Sequence, residues 1–271
     1  MAIEVFAPAK INLTLHVTGQ RDDGYHLLDS LVSFADIGDR LTVAKADEMR
    51  IDVTGPFAKG VPTDRRNLCW QAAELFGETV AITLEKNLPH AAGIGGGSSD
   101  AAAVLKAMEQ LFDRPFDGDA LLLGADIPVC QIASATRMQG IGEVLSPIKI
   151  PPLEAILVNP GVSVPTPRVF KGLERKNNSE MDMMPKTHRS SDFWTWLADQ
   201  RNDLEAPAIA AQPIIADVLR ELSFLGARIV RMSGSGATCF GLFEARGHHE
   251  AVYRDLKQRR PEWWVEYATL T

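Results

Sequence analysis

Residues 10–17 alternate without a slip, Ile11, Leu13, Leu15 and Val17 falling on one side and Lys10, Asn12, Thr14 and His16 on the other. A period of two is that of a strand, so one face is expected against a core and the other is polar. Arg40 to Lys45, Met49 to Val53, and the alternating Val80, Ile82 and Leu84 read as further short strands. Asn67 stands where a helix cap is expected, ahead of Leu68, Trp70, Ala73 and Leu75. A strand ending near Lys86 then runs into a glycine-rich turn, followed by a helix through Ala101, Ala102, Ala103, Leu105, Met108 and Leu111.

The pattern restarts beyond Pro151 with a strand at Ala155 to Val158, and residues 174–189 read as an exposed, mobile polar loop. Helices are expected at Asp192 to Ala198 and Ile214 to Leu222, and strands at Arg228 to Met232 and Thr238 to Phe243. A helix through Val252 and Leu256 and a strand over Val265 to Leu270 complete the chain. The order predicts an α+β protein with mostly antiparallel sheets, in two lobes: residues 1–150 and 151–271. No internal repeat or low-complexity tract interrupts it.

Composition narrows the class. With 45% hydrophobic and 23% charged residues over 271 positions, the chain has the make-up of a globular protein with a large core. Its net charge of −7 argues against general nucleic-acid binding, which relies on surplus lysine and arginine. The local cations Lys257, Arg259 and Arg260 suit a solvated helix end. Cys69, Cys130 and Cys239 are far apart and lie among apolar residues, so they read as reduced core side chains. Met1 to Pro8 shows no secretory signal, and no run is long enough to span a membrane. A cytoplasmic protein is expected.

The chemistry concentrates in Gly93-Ile94-Gly95-Gly96-Gly97-Ser98-Ser99. Closely spaced glycines let backbone N–H groups converge on one point, and the following helix adds its N-terminal donors and dipole, so the turn is suited to a triphosphate. The spelling is neither GxxxxGK[ST] nor the dinucleotide GxGxxG, because Ser98 stands where the latter needs its third glycine. A second turn, Met232-Ser233-Gly234-Ser235-Gly236-Ala237, reads equally well as an ordinary hairpin or as the other wall of a cleft. Asp126, alone among apolar neighbours, is either a turn cap or a desolvated acid or base. Lys10 is either an exposed edge-strand lysine or a functional cation. In Arg21-Asp22-Asp23-Gly24-Tyr25-His26 a hairpin tip explains the Asp-Gly pair, and His26 by itself reads as a structural histidine.

Taken together, these segments resemble the GHMP kinase superfamily, named for galactokinase, homoserine kinase, mevalonate kinase and phosphomevalonate kinase. The likeness spans nearly the whole chain: Pro8 to Leu13, Asp23 to His26, Gly93 to Asp100, Gly124 to Asp126, Pro165 to Pro167, Asn202 to Glu205 and Ser233 to Gly236. The glycine loops carry the superfamily. Asp-Gly-Tyr-His together with the Lys10 strand points to the branch acting on a cytidine-diphosphate-linked methylerythritol.

The resemblance implies a two-lobed GHMP kinase fold with its active site in the cleft between lobes. It implies transfer of the ATP γ-phosphate to the substrate's 2-hydroxyl, in the non-mevalonate route to isoprenoid precursors. Lys10 and Asp126 would be catalytic. ATP would be held by Pro89, His90, Ala91, Ala92, Gly93, Ile94, Gly95, Gly96, Gly97, Ser98 and Ser99, with Mg2+ on ligands that remain unassigned. Tyr25 and Phe170 would sandwich the cytosine, His26 would bond its polar edge, and Asn12 and Thr166 would complete the pocket. The partners implied are this small molecule alone, without nucleic acid or membrane, for a monomer or homodimer. Ala91 and Ile94 depart from the glycine and leucine more usual in the family, and the segment from Leu111 to Gly124 is shorter. A homoserine or mevalonate-type kinase, and a nucleotide-binding protein without transfer activity, are the competing readings.

Overall fold

The computed structural model describes residues 1–185, 190–244 and 248–271. In chain order the elements are β1 (Ala2–Asn12), β2 (His16–Gln20), β3 (His26–Lys45), β4 (Arg50–Thr54), α1 (Leu68–Phe76), β5 (Val80–Glu85), α2 (Gly96–Phe112) and α3 (Ile127–Ile132). They continue as β6 (Thr136–Gly140), β7 (Val144–Pro147), β8 (Leu153–Asn159), α4 (Thr166–Lys171), α5 (Ser190–Asp199), α6 (Glu205–Ala211) and α7 (Ile214–Phe224). The last four are β9 (Ile229–Met232), β10 (Cys239–Phe243), α8 (His248–Arg259) and β11 (Trp264–Leu270). The α+β class and the mainly antiparallel pairing agree with the sequence pattern.

Two compact units result. The first comprises residues 1–10, 36–90 and 95–133, and the second residues 11–35, 91–94 and 134–271. In the first unit β5 pairs antiparallel with the distal half of β3 and parallel with β4. Helix α1 starts as expected at Asn67, whose side chain accepts from the Cys69 N–H, and stops at Gly77 in the left-handed region. Helix α2 is buried from Ser99 to Met108 except at Lys106, its interior being alanine with Val104, Leu105 and Met108. The short α3 ends at Ala133, and its existence was not legible in six residues of sequence.

In the second unit, β8 lies between β10 and β11, antiparallel to both, and β9 pairs with β10. The proximal half of β3 pairs with β2 and β6. A core of Leu15, Val17, Ile156, Val158, Val218 and Leu222, among others, fills this unit. Lys257 and Arg259 do lie in the last turn of α8, with Arg260 just beyond, and each has an acidic partner: Glu266, Asp255 and Glu221 among them. The three cysteines are free and buried.

Three expectations are corrected. The alternating segment is not one strand, since β1 ends at Asn12 and β2 begins at His16. Its polar face is buried as completely as its apolar one: Lys10, Asn12, Thr14 and His16 are all enclosed, so Lys10 is no exposed edge lysine. The polar side chains instead find internal partners; the Thr14 hydroxyl accepts from the Leu31 N–H, for example. Residues 174–185 carry no helix or strand but are not simply an exposed loop, because Met181 is buried and its N–H donates to Asp29 at 2.9 Å. Arg137 forks onto the same Asp29 carboxylate and also donates to the Met181 carbonyl. Residues 186–189 lie outside the described residues.

Candidate active site

The glycine turn occupies the connection from β5 to α2. Gly93 and Gly95 take φ of 74° and 62°, and Gly95 is the N-cap of α2 with no side-chain capping bond. The first-turn N–H groups of α2 therefore have no intrahelical partner and face outward beside the positive end of the helix dipole. Ala91 also takes a left-handed φ of 47°, at a cost of about 1 kcal/mol or more.

Within the first unit, this turn lies directly on a charged pair. Lys10 Nζ stands 2.8 Å from a carboxylate oxygen of Asp126, with the lysine only 4% exposed. A Cβ at Gly95 would come within 3.0 Å of Lys10 Cβ and 3.2 Å of its Cε, so the turn packs closely on the lysine stem. Ser99 ties α2 to the same strand, its hydroxyl donating to the Pro8 carbonyl at 2.7 Å. Asp126 is the residue before α3, yet its side chain makes no capping bond and turns to Lys10 instead. With its side chain 35% exposed, the carboxylate is reachable from solvent and not fully desolvated. His90, at the start of the turn, meets Phe57 edge to face.

Within the second unit, the stretch Ala91 to Ile94 is held by the other glycine-serine turn. Ser233 Oγ donates to the Gly93 carbonyl at 2.8 Å and accepts the Asn12 N–H at 3.0 Å. A Cβ at Gly93 would fall 2.4 Å from the Ser233 carbonyl oxygen, which excludes any side chain there. The Thr238 N–H donates to Ala92, and the Asn202 amide fastens the far side by donating to the Met232 and Gly234 carbonyls. The turn after Met232 is thus a hairpin between β9 and β10 that also holds residues 91–94. Sequence alone did not single out Ser233 or Asn202 individually; their being embedded in short motifs of serine, glycine and asparagine was the available signal.

The residues expected to hold a base all belong to this unit. His26 and Phe170 stack with ring centroids 4.6 Å apart, while the Tyr25 side chain is 60% exposed at the tip of the turn between β2 and β3. The ring pair formed by the protein itself is therefore His26 with Phe170, and Tyr25 remains open on the surface. Burial, with a lesser contribution from Lys176, lowers the His26 pKa and favours the neutral imidazole. His26 Nε2 and Asn12 Oδ1 are buried without a hydrogen-bond partner, whereas Asn12 Nδ2 donates to Ser30 at 2.9 Å. Buried polar atoms left unsatisfied are costly and mark places where a polar ligand edge fits. Thr166 bonds Ser235 through their hydroxyls at 2.8 Å.

Residues 67–136 match the family described as GHMP kinases N terminal domain, and residues 191–262 match GHMP kinases C terminal. A 4-diphosphocytidyl-2-C-methyl-D-erythritol kinase of Dinoroseobacter shibae is 56% identical, covering 96% of this chain and 92% of its own. One from Ruegeria pomeroyi is 54% identical over 98% of this chain and 99% of its own. The chain belongs to this family of GHMP kinases. A crystal structure titled 4-(cytidine 5'-diphospho)-2C-methyl-D-erythritol kinase superposes with a TM-score of 0.81 at 35% identity, covering 99% of each chain. No helix among the described residues is long and apolar enough to cross a membrane.

Proposed function

We propose that this protein transfers the γ-phosphate of ATP to the 2-hydroxyl of 4-diphosphocytidyl-2-C-methyl-D-erythritol, releasing ADP, as a step in the methylerythritol phosphate route to isoprenoid precursors. The observation that carries the reading is the Lys10–Asp126 pair packed under the glycine turn at Gly95. Binding of a nucleotide alone would need the turn but not the pair.

Phosphoryl transfer asks chiefly for alignment and for neutralisation of the charge on the moving group. Within the stretch from Pro89 to Ser99, the free backbone N–H groups of the glycine turn and of the start of α2 hold the triphosphate. Asp126 receives or orients the hydroxyl proton, and its partial exposure gives the substrate access to it. Lys10 holds that carboxylate in place and directs its ammonium towards the reacting oxygens. Among the described residues no cluster of three or more His, Cys, Asp or Glu could hold a metal. A magnesium ion would therefore be carried mainly by phosphate oxygens and water, as is usual for this cation, and would supply charge neutralisation when bound.

For the cytidine end, Tyr25 and Phe170 cover the faces of the base, and His26 bonds its polar edge through the buried Nε2 that lacks a protein partner. Asn12 offers its unsatisfied amide oxygen, and Thr166 completes the pocket. Residues 1–150 then act as the nucleotide-binding and catalytic domain and 151–271 as its C-terminal companion.

The test is ADP release in the presence of ATP, magnesium and the cytidine-linked alcohol, with mevalonate and homoserine as alternatives. Turnover of either alternative, with none of the cytidine-linked compound, would overturn the assignment of substrate. No turnover of any, with ATP still bound, would overturn the kinase reading.

A further inference from the structure

A second buried charge cluster lies at the glycine turn and plays no part in the chemistry above. Lys86, the residue after β5, reaches Asp39 of β3 and Asp100 of α2, the latter at 2.6 Å, and all three side chains are enclosed. The other oxygen of Asp39 accepts the consecutive N–H groups of Asn87 and Leu88, at 2.5 and 2.9 Å. A Cβ at Gly96 would lie 3.2 Å from Lys86 Nζ. One group of three side chains thus grips the chain on both sides of residues 89–95: at 86–88 before the turn, and at Gly96 and Asp100 after it.

A buried ion cluster is a poor way to gain stability, since well-packed apolar residues of the same volume do as well or better. What it does supply is a fixed register between the segments it joins. Here the segments are the two ends of a loop whose backbone N–H groups must converge on phosphate oxygens.

We propose that Lys86 is a positioning residue for ATP: it fixes the two ends of the glycine turn relative to each other and offsets the carboxyl groups behind the first turn of α2. The proposal rests on the reading of residues 89–99 as the triphosphate loop. The second role follows from charge. Two carboxyl groups behind a helix N-terminus oppose the binding of an anion there, and the lysine counters them. Burial, opposed by Lys86 and reinforced by Asp39, pushes the Asp100 carboxyl above the usual carboxylate range, and its Oδ1 has no hydrogen-bond partner. The groups acting on or facing it are Lys86 and Asp39, with the buried thiols Cys69 of α1 and Cys130 of α3, both of which feel its charge.

The test is equilibrium binding of ATP with magnesium, measured by calorimetry without the second substrate, together with KM and kcat in the coupled assay. Lys86→Met is expected to weaken ATP binding about tenfold or more while kcat at saturating ATP changes little. A purely structural role would lower the active fraction and the unfolding temperature but leave the ATP KM where it was. A folded Lys86→Met that binds ATP within about twofold of wild type overturns the proposal. If that variant fails to fold, Lys86→Met/Asp100→Asn, which leaves one fewer carboxyl without a counter-charge, carries the same comparison.

Asp100→Asn alone tests the charge. With Lys86 retained, removing this carboxyl from behind the helix N-terminus should strengthen ATP binding at neutral pH by about threefold or more. An ATP affinity no higher than that of wild type overturns that part. Because binding is read separately from turnover, wild type that binds ATP yet phosphorylates nothing would defeat the proposed function and leave this comparison standing.

Discussion

Lys10 and Asp126 face each other at 2.8 Å across 116 residues of sequence, and the turn at Gly95 rests on the lysine stem. For Asp126→Asn we expect ATP affinity within about twofold of wild type and turnover reduced by about a hundredfold or more. Loss of the carboxylate leaves a buried ammonium. With Asp126 a third exposed, the destabilisation should remain below the roughly 3–5 kcal/mol seen when a fully buried pair is broken. ADP release and thermal unfolding, measured on the same preparation, check both. An unaffected rate would remove Asp126 from the mechanism.

The glycines of the turn are not equivalent. Gly93 has φ of 74° and a backbone oxygen 2.4 Å from where a Cβ would sit, so Gly93→Ala should destabilise the fold and abolish ATP binding together. Gly97 lies inside α2, where a Cβ would meet only Leu68 at 3.6 Å. Gly97→Ala should therefore fold at least as well as wild type, and any loss of ATP affinity reports a steric clash with the phosphates themselves. Thermal unfolding and ATP titration of the two variants separate these cases, and equal behaviour would refute the distinction.

On the cytidine side, Tyr25→Ala should raise the KM of the cytidine-linked substrate about tenfold without changing ATP affinity or the unfolding temperature, since the ring is largely exposed. Phe170→Ala should raise the same KM and also lower stability, because Phe170 stacks on His26. Steady-state kinetics with each substrate varied in turn makes the comparison. Unchanged substrate KM in both would remove the aromatic residues from base recognition.

Acid should destabilise the protein through two histidines. Burial lowers the pKa of His16, with Arg201 adding to it, and lowers that of His26. Below about pH 6.5 the unfolded chain takes up these protons before the folded one does, so stability falls as pH drops from there through the lowered folded values. His16 Nε2 accepts the Arg201 N–H, a bond that requires that nitrogen to be unprotonated. The unfolding temperature should fall between about pH 7.5 and about pH 5.5, and less steeply in His16→Gln. An equal slope in the variant would exclude His16 as a source.

What the sequence by itself determined was local. Asn67 capping α1, the strand–turn–helix order around Gly93 and the amphipathic α7 follow from side-chain periodicity, capping chemistry and glycine's access to positive φ, none of which needs distant partners. The motifs spelled out the family for the same reason: a phosphate turn is a contiguous piece of backbone. Tertiary structure alone decided which polar groups are buried and whom they meet. Nothing in residues 10–16 distinguishes a solvated strand face from the enclosed one observed, because the enclosing residues, such as Leu31, Ser233 and Arg201, lie elsewhere in the chain. The partner of Asp126, the stacking of Phe170 on His26, the hold of Asp29 on Met181 and the grip of Lys86 on Asp39 and Asp100 all join residues far apart in sequence. Their geometry depends on the packing of whole elements, and periodicity records only which side of its own element a residue occupies.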